Sequence, residues 1–107
     1  MELVLLSVPG CPHAVTFEER LMAAVADYPS ARVYRREIAD EEQAAQAGMY
    51  GSPTLLVDGT DPFAVPGQLP SMSCRLYRDA AGHADPVPSV EALRRALAGG
   101  PRPRKQA

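Results

Sequence analysis

The chain has 107 residues, 46% hydrophobic and 22% charged, with a formal net charge of −2. That length supports one domain with a single core, and the charge balance argues against a general nucleic-acid surface. No apolar run approaches the ~20 residues that span a bilayer, and two cysteines are too few for a disulfide scaffold.

With only Cys11, Cys74, His13 and His83 available, no zinc-finger spacing can be drawn. The start runs straight into apolar residues, with no basic n-region and no small-residue cleavage site. The expectation is therefore a cytoplasmic protein without a signal peptide.

Residues 3–8 are rich in Leu and Val with almost no polar interruption. They predict a strand buried on both faces in the middle of a sheet. From Pro12 the period changes. Phe17, Leu21, Ala24, Val25 and Tyr28 recur at helical spacing, and the helix should stop at Pro29. Residues 32–38 alternate and predict a half-exposed second strand, which a right-handed crossover would place parallel to the first. Asp40 is placed to cap a second helix that ends at Gly48.

Gly51-Ser52-Pro53-Thr54 then leads into the apolar run Leu55-Leu56-Val57 and the hairpin signal Asp58-Gly59. Residues 59–73 form a long proline-bearing loop. Phe63, Val65, Leu69 and Met72 are expected to pack it down, and such loops commonly bind or cover a ligand. Residues 73–78 predict the last strand, with Cys74 and Leu76 on one face and Arg75 and Tyr77 on the other. Ser89 is expected to cap a final helix with Val90, Leu93 and Leu97 as its apolar stripe. The domain is placed at 1–98, and 99–107 reads as a disordered basic tail.

The chemistry concentrates at Cys11. A buried strand that ends in Val8-Pro9-Gly10 and gives way at once to a helix puts this thiol near the helix N-terminus. Unpaired N–H groups and the dipole there favour a thiolate, and protonated His13 would favour it further. The plain alternative is a buried apolar cysteine. His83 reads as a solvated residue of a turn-rich segment, and Met49 and Met72 read as core.

The element order is β-α-β-α-β-β-α, an α/β sandwich with a mixed four-stranded sheet. Strand-Pro-Gly-Cys11-Pro12-His13-helix, followed some forty residues on by Gly51-Ser52-Pro53-Thr54-strand, resembles the thioredoxin superfamily, including glutaredoxins and DsbA-like oxidoreductases. The resemblance covers most of 2–98. It implies a three-layer α/β/α fold with Cys11 as the nucleophile and Pro53 as a cis-proline beside it. It further implies Pro12, His13, Ser52, Pro53 and Thr54 as substrate-binding positions, with Ser52 offering backbone groups to an extended thiol substrate. Ala14 stands where the family's Cys-x-x-Cys motif has its resolving cysteine, so the usual disulfide within the motif cannot form.

Three readings stay open. Cys11 acts alone, forming a mixed disulfide with glutathione, another small thiol or a protein thiol. Alternatively Cys74 resolves that species, against the plainer reading of Cys74 as a core residue; a bridge requires Cα atoms within ~7 Å. Third, the chain is a non-catalytic binding module for a soft metal, an organomercurial or a protein partner. The stretches around 48–59 and 73–77 are also similar to small thioredoxin-like proteins labelled alkylmercury lyase-like, which would make Asp58 and Asp61 the nearest carboxylates. Glutathione enters only as a co-substrate. No resident cofactor or metal, no nucleic acid and no membrane partner is expected, and the oligomeric state is left open.

Overall fold

A computed structural model describes residues 1–79 and 81–99. Its central element is β1 (Glu2–Ser7), which pairs in parallel with β2 (Arg32–Glu37) on one side and antiparallel with β4 (Thr54–Val57) on the other. The result is a mixed three-stranded sheet in the order β2-β1-β4.

Alternation along β1 splits the core in two. Leu3 and Leu5 join Phe17, Leu21, Leu55, Val57, Leu93 and Leu97, which brings α1 (Ala14–Ala24) and α3 (Val90–Gly99) onto one face. Leu6 joins Ile38, Ala44 and Met49, which brings α2 (Glu41–Ala47) onto the other, with Val4, Val8 and Leu56 packed around them. Each fully buried Leu contributes about 1.5–3 kcal/mol through area removed from water.

Local signals account for the helix ends. The Asp40 carboxylate accepts the Gln43 N–H at 2.8 Å, and the Gln43 side chain reaches back to the Ala39 N–H at 2.9 Å. These bonds satisfy two donors at the start of α2 reciprocally. Gly48 closes that helix at φ 80°, a left-handed position that glycine takes without a Cβ penalty. Ser89 Oγ accepts the Ala92 N–H at 3.0 Å at the head of α3. The first helix begins later than its sequence pattern, at Ala14. His13 is its N-cap without a side-chain cap bond, and a 3-10 turn, Val25–Asp27, follows it.

The C-terminal half departs from the expected four-stranded sheet. Residues 73–78 are not one strand. They divide between β5 (Ser71–Cys74), which pairs in parallel with β3 (Tyr50–Ser52), and β6 (Tyr77–Arg78), which pairs antiparallel with β7 (Ala84–Asp85). The Asp58-Gly59 turn does form, with Val57 and Thr60 exchanging both backbone bonds, but it opens into the loop rather than a returning strand. Of the four loop residues expected to pack, Phe63 and Met72 do so, whereas Val65 and Leu69 are exposed, Leu69 at 79%. The expected basic tail lies, from residue 100 onward, outside the described residues. No helix among the described residues is long and apolar enough to cross a membrane.

Candidate functional site

Cys11 sits in the turn between β1 and α1. The chain passes Gly10 at φ 75°, and the Cys11 N–H returns to the Val8 carbonyl at 3.1 Å. Its own carbonyl accepts the Ala14 N–H at 3.4 Å, so the cysteine stands ahead of the first helical residue rather than inside the helix. Cys11 and His13 are half-buried and Pro12 is exposed, while Ala14 is buried beneath them. Val8 binds a second segment as well: its N–H donates to Ser52 Oγ at 3.1 Å. One residue at the end of β1 thereby carries the turn bearing Cys11 and the turn bearing Pro53, whose peptide bond with Ser52 is cis.

Ser52, Pro53 and Thr54 are all buried. Ser52, expected to offer backbone groups to an extended thiol substrate, gives its carbonyl to the Arg75 N–H at 3.2 Å, from the residue that directly follows β5. Thr54 Oγ1 donates to the Gly51 carbonyl at 2.6 Å and accepts from Arg75 Nη1 at 3.1 Å. Ser52 and Thr54 therefore fix the shape of the Pro53 turn from inside.

The residue that sequence reasoning missed is Arg75. Its guanidinium is buried and forms an ion pair with Asp61 at 2.7 Å, both side chains being 4% exposed. It also donates to the Phe63 carbonyl at 2.8 Å and lies 4.7 Å over the Tyr77 ring. A buried cation of this kind is tolerated only when charge and hydrogen bonds are both supplied. Tyr77 completes the arrangement: its hydroxyl donates to the Pro53 carbonyl, and its ring meets Phe17 and Phe63 edge-on at 5.9 and 5.2 Å. Burial pushes the Tyr77 phenol well above its ordinary value, with Arg75 opposing. Asp61 is thus occupied by Arg75, and Asp58 accepts the Glu2 N–H at 2.8 Å, so both carboxylates of the lyase-like reading are engaged in holding the chain.

Cys74 is exposed, which corrects its reading as a core residue, and both cysteines are unbridged. The alternation in 73–78 is real, but its inward face is the one carrying Arg75 and Tyr77, each 5% exposed, while Leu76 is 63% exposed. Cys74 is the register partner of Ser52 across the β3–β5 pair.

His83 lies apart on the surface, 3.4 Å from Asp79, whose carboxyl is held below its usual range chiefly by the His83 backbone N–H. A cavity of about 130 Å³ lined by Arg20, Phe63, Tyr77, His83 and Ala92 among others includes neither cysteine. No group of three or more His, Cys, Asp or Glu among the described residues is arranged to hold a metal. No family model matches this chain, and neither a curated protein nor a solved structure does.

Proposed function

We propose that the chain is a thioredoxin-like thiol–disulfide exchange protein in which Cys11 is the attacking thiol. The observation that carries this reading is the common anchorage of two segments on Val8, which holds the Cys11 turn by its carbonyl and Ser52 by its N–H. A half-buried thiol on a fixed turn, beside a rigid backbone wall, is the arrangement that displacement at a disulfide sulfur needs. The helices on both faces of a mixed sheet, with α1 directly after the cysteine turn, support the fold assignment.

The substrate class is a low-molecular-weight disulfide, of which glutathione disulfide is the working example. An extended peptide would have to pair with the backbone at Ser52, and β5 already occupies that edge. In the exchange, the Cys11 thiolate attacks one sulfur, a protein–small-thiol disulfide forms, and the other half leaves as a thiolate that takes up a solvent proton.

The test is the rate of Cys11 alkylation in the folded protein against the urea-unfolded chain at neutral pH, with each cysteine mapped. Cys11 should react faster folded than unfolded, and Cys11→Ser should abolish mixed-disulfide formation. Alkylation of Cys11 no faster in the folded state, with neither a glutathione adduct nor a disulfide at Cys11, refutes the reading.

A further inference from the structure

We infer that Cys74 is the resolving thiol of Cys11, supplied across the Pro53 turn in place of the cysteine that Ala14 displaces. The inference rests on the thiol-exchange reading above and assigns the second half of that chemistry.

Three features of the structure point to it. The first is register. Ser52 pairs with Cys74, and residues paired across neighbouring strands project to the same face about one strand spacing, ~4.8 Å, apart. Ser52 projects its Oγ onto Val8, the residue that holds the Cys11 turn, so Cys74 belongs to the same side of the Pro53 wall.

The second is the bulge. From Tyr50↔Ser71 to Ser52↔Cys74 the pairing advances two residues on β3 and three on β5. An undisturbed ladder would set Ser73 opposite Ser52. The extra residue re-aims the strand and brings the cysteine there instead, a use to which bulges beside active sites are put.

The third is anchorage. Arg75, the next residue, is pinned by Asp61, Thr54, Phe63 and the Ser52 carbonyl, and Gly51 passes so close that a Cβ there would come within 2.7 Å of Arg75 Cβ. Cys74 is exposed, yet it is the last residue before this buried anchor, so its place beside Ser52 is held rather than sampled.

The reaction balances without a further reagent. After Cys11 has attacked glutathione disulfide and released one glutathione, the Cys74 thiolate attacks Cys11 Sγ. The mixed disulfide breaks, a Cys11–Cys74 disulfide forms, and the second glutathione leaves as a thiolate that is protonated by solvent. The two cysteines lose two protons and two electrons, and the two glutathione molecules gain them. A small thiol in excess reverses the sequence and completes the cycle.

Wild type, Cys74→Ser and Cys11→Ser are exposed to glutathione disulfide, quenched with acid and analysed by intact mass and peptide mapping. Cys74 is exposed, so its serine variant should melt with the wild type, and this is checked first. Wild type should lose the mass of two hydrogens and yield a cross-linked peptide pair containing Cys11 and Cys74. Cys74→Ser should instead accumulate a glutathione adduct on Cys11 with a lifetime about tenfold longer or more, since an intramolecular thiol outcompetes a free one. A persistent Cys11 adduct in wild type with Cys74 unmodified overturns the inference and leaves the exchange reading intact. So does a dimer linked through Cys74. If neither a Cys11 adduct nor a Cys11–Cys74 bridge forms in either protein, both are overturned.

Discussion

Asp61→Ala removes the carboxylate that, among the described residues, is the only one paired with a guanidinium that is 4% exposed. Arg75 keeps its bonds to Thr54 and the Phe63 carbonyl, but these are neutral acceptors and cannot offset a buried positive charge. Breaking a buried pair by deleting one partner costs about 3–5 kcal/mol, against about 0–1 kcal/mol for an exposed pair. The Phe63 N–H, which donates to the other Asp61 oxygen at 2.8 Å, adds about 1 kcal/mol. A domain of this size has about 5–15 kcal/mol in total, so the variant should lose a large part of its margin.

The chain contains no tryptophan, so far-UV circular dichroism against urea is the suitable assay. At a slope of ~2 kcal/mol per molar, the midpoint should fall by about 2–3 M. The double variant Asp61→Leu/Arg75→Met should recover the electrostatic part of the loss, because it removes both charges. A fall smaller than about 0.5 M in Asp61→Ala would mean that water screens the pair. The account of Arg75 as the anchor of the Pro53 turn would then fail.

Tyr77→Phe should cost about 1–3 kcal/mol at neutral pH, since the buried Pro53 carbonyl loses its donor. Because the folded protein holds the Tyr77 phenol above its ordinary value of 10.0, folding favours the protonated form. That contribution is complete below pH ~10 and is lost as the pH rises beyond it, so wild type should weaken there more steeply than Tyr77→Phe. Parallel urea midpoints for the two proteins through the alkaline range would refute this. Gly51→Ala places a Cβ at φ 118° and within 2.7 Å of Arg75 Cβ. It should cost about 1–3 kcal/mol and slow formation of the Cys11–Cys74 bridge; a loss below ~0.5 kcal/mol with bridging unchanged contradicts the close approach. Asp40→Ala removes the cap of α2 and should lower stability by about 1 kcal/mol without altering Cys11 alkylation, which thermal melting and mapping check together.

Sequence by itself determined the order of β1, α1, β2, α2 and β4, though neither the start of α1 at Ala14 nor the strand β3. The Leu-Val run of β1, the helical spacing from Phe17 to Leu21, the Asp40 cap and the Gly48 stop are local signals, each satisfied within a few residues of chain or by one alternating face. It also singled out Cys11, since a cysteine directly after Pro-Gly at the end of a buried strand must lie on a turn.

What only the tertiary structure decided is which face of 73–78 turns inward. Hydropathy argues for Leu76 and Cys74, and the folded chain buries Arg75 and Tyr77 instead. The reason is non-local. Asp61 lies 14 residues from Arg75 and Pro53 lies 24 from Tyr77, and only when the loop folds back do a carboxylate and a carbonyl meet these side chains. Once both polar groups have partners, their burial no longer carries the penalty that hydropathy assigns to them. The same inversion leaves Cys74 on the surface, and a single-residue bulge, invisible to any periodicity, sets it opposite Ser52.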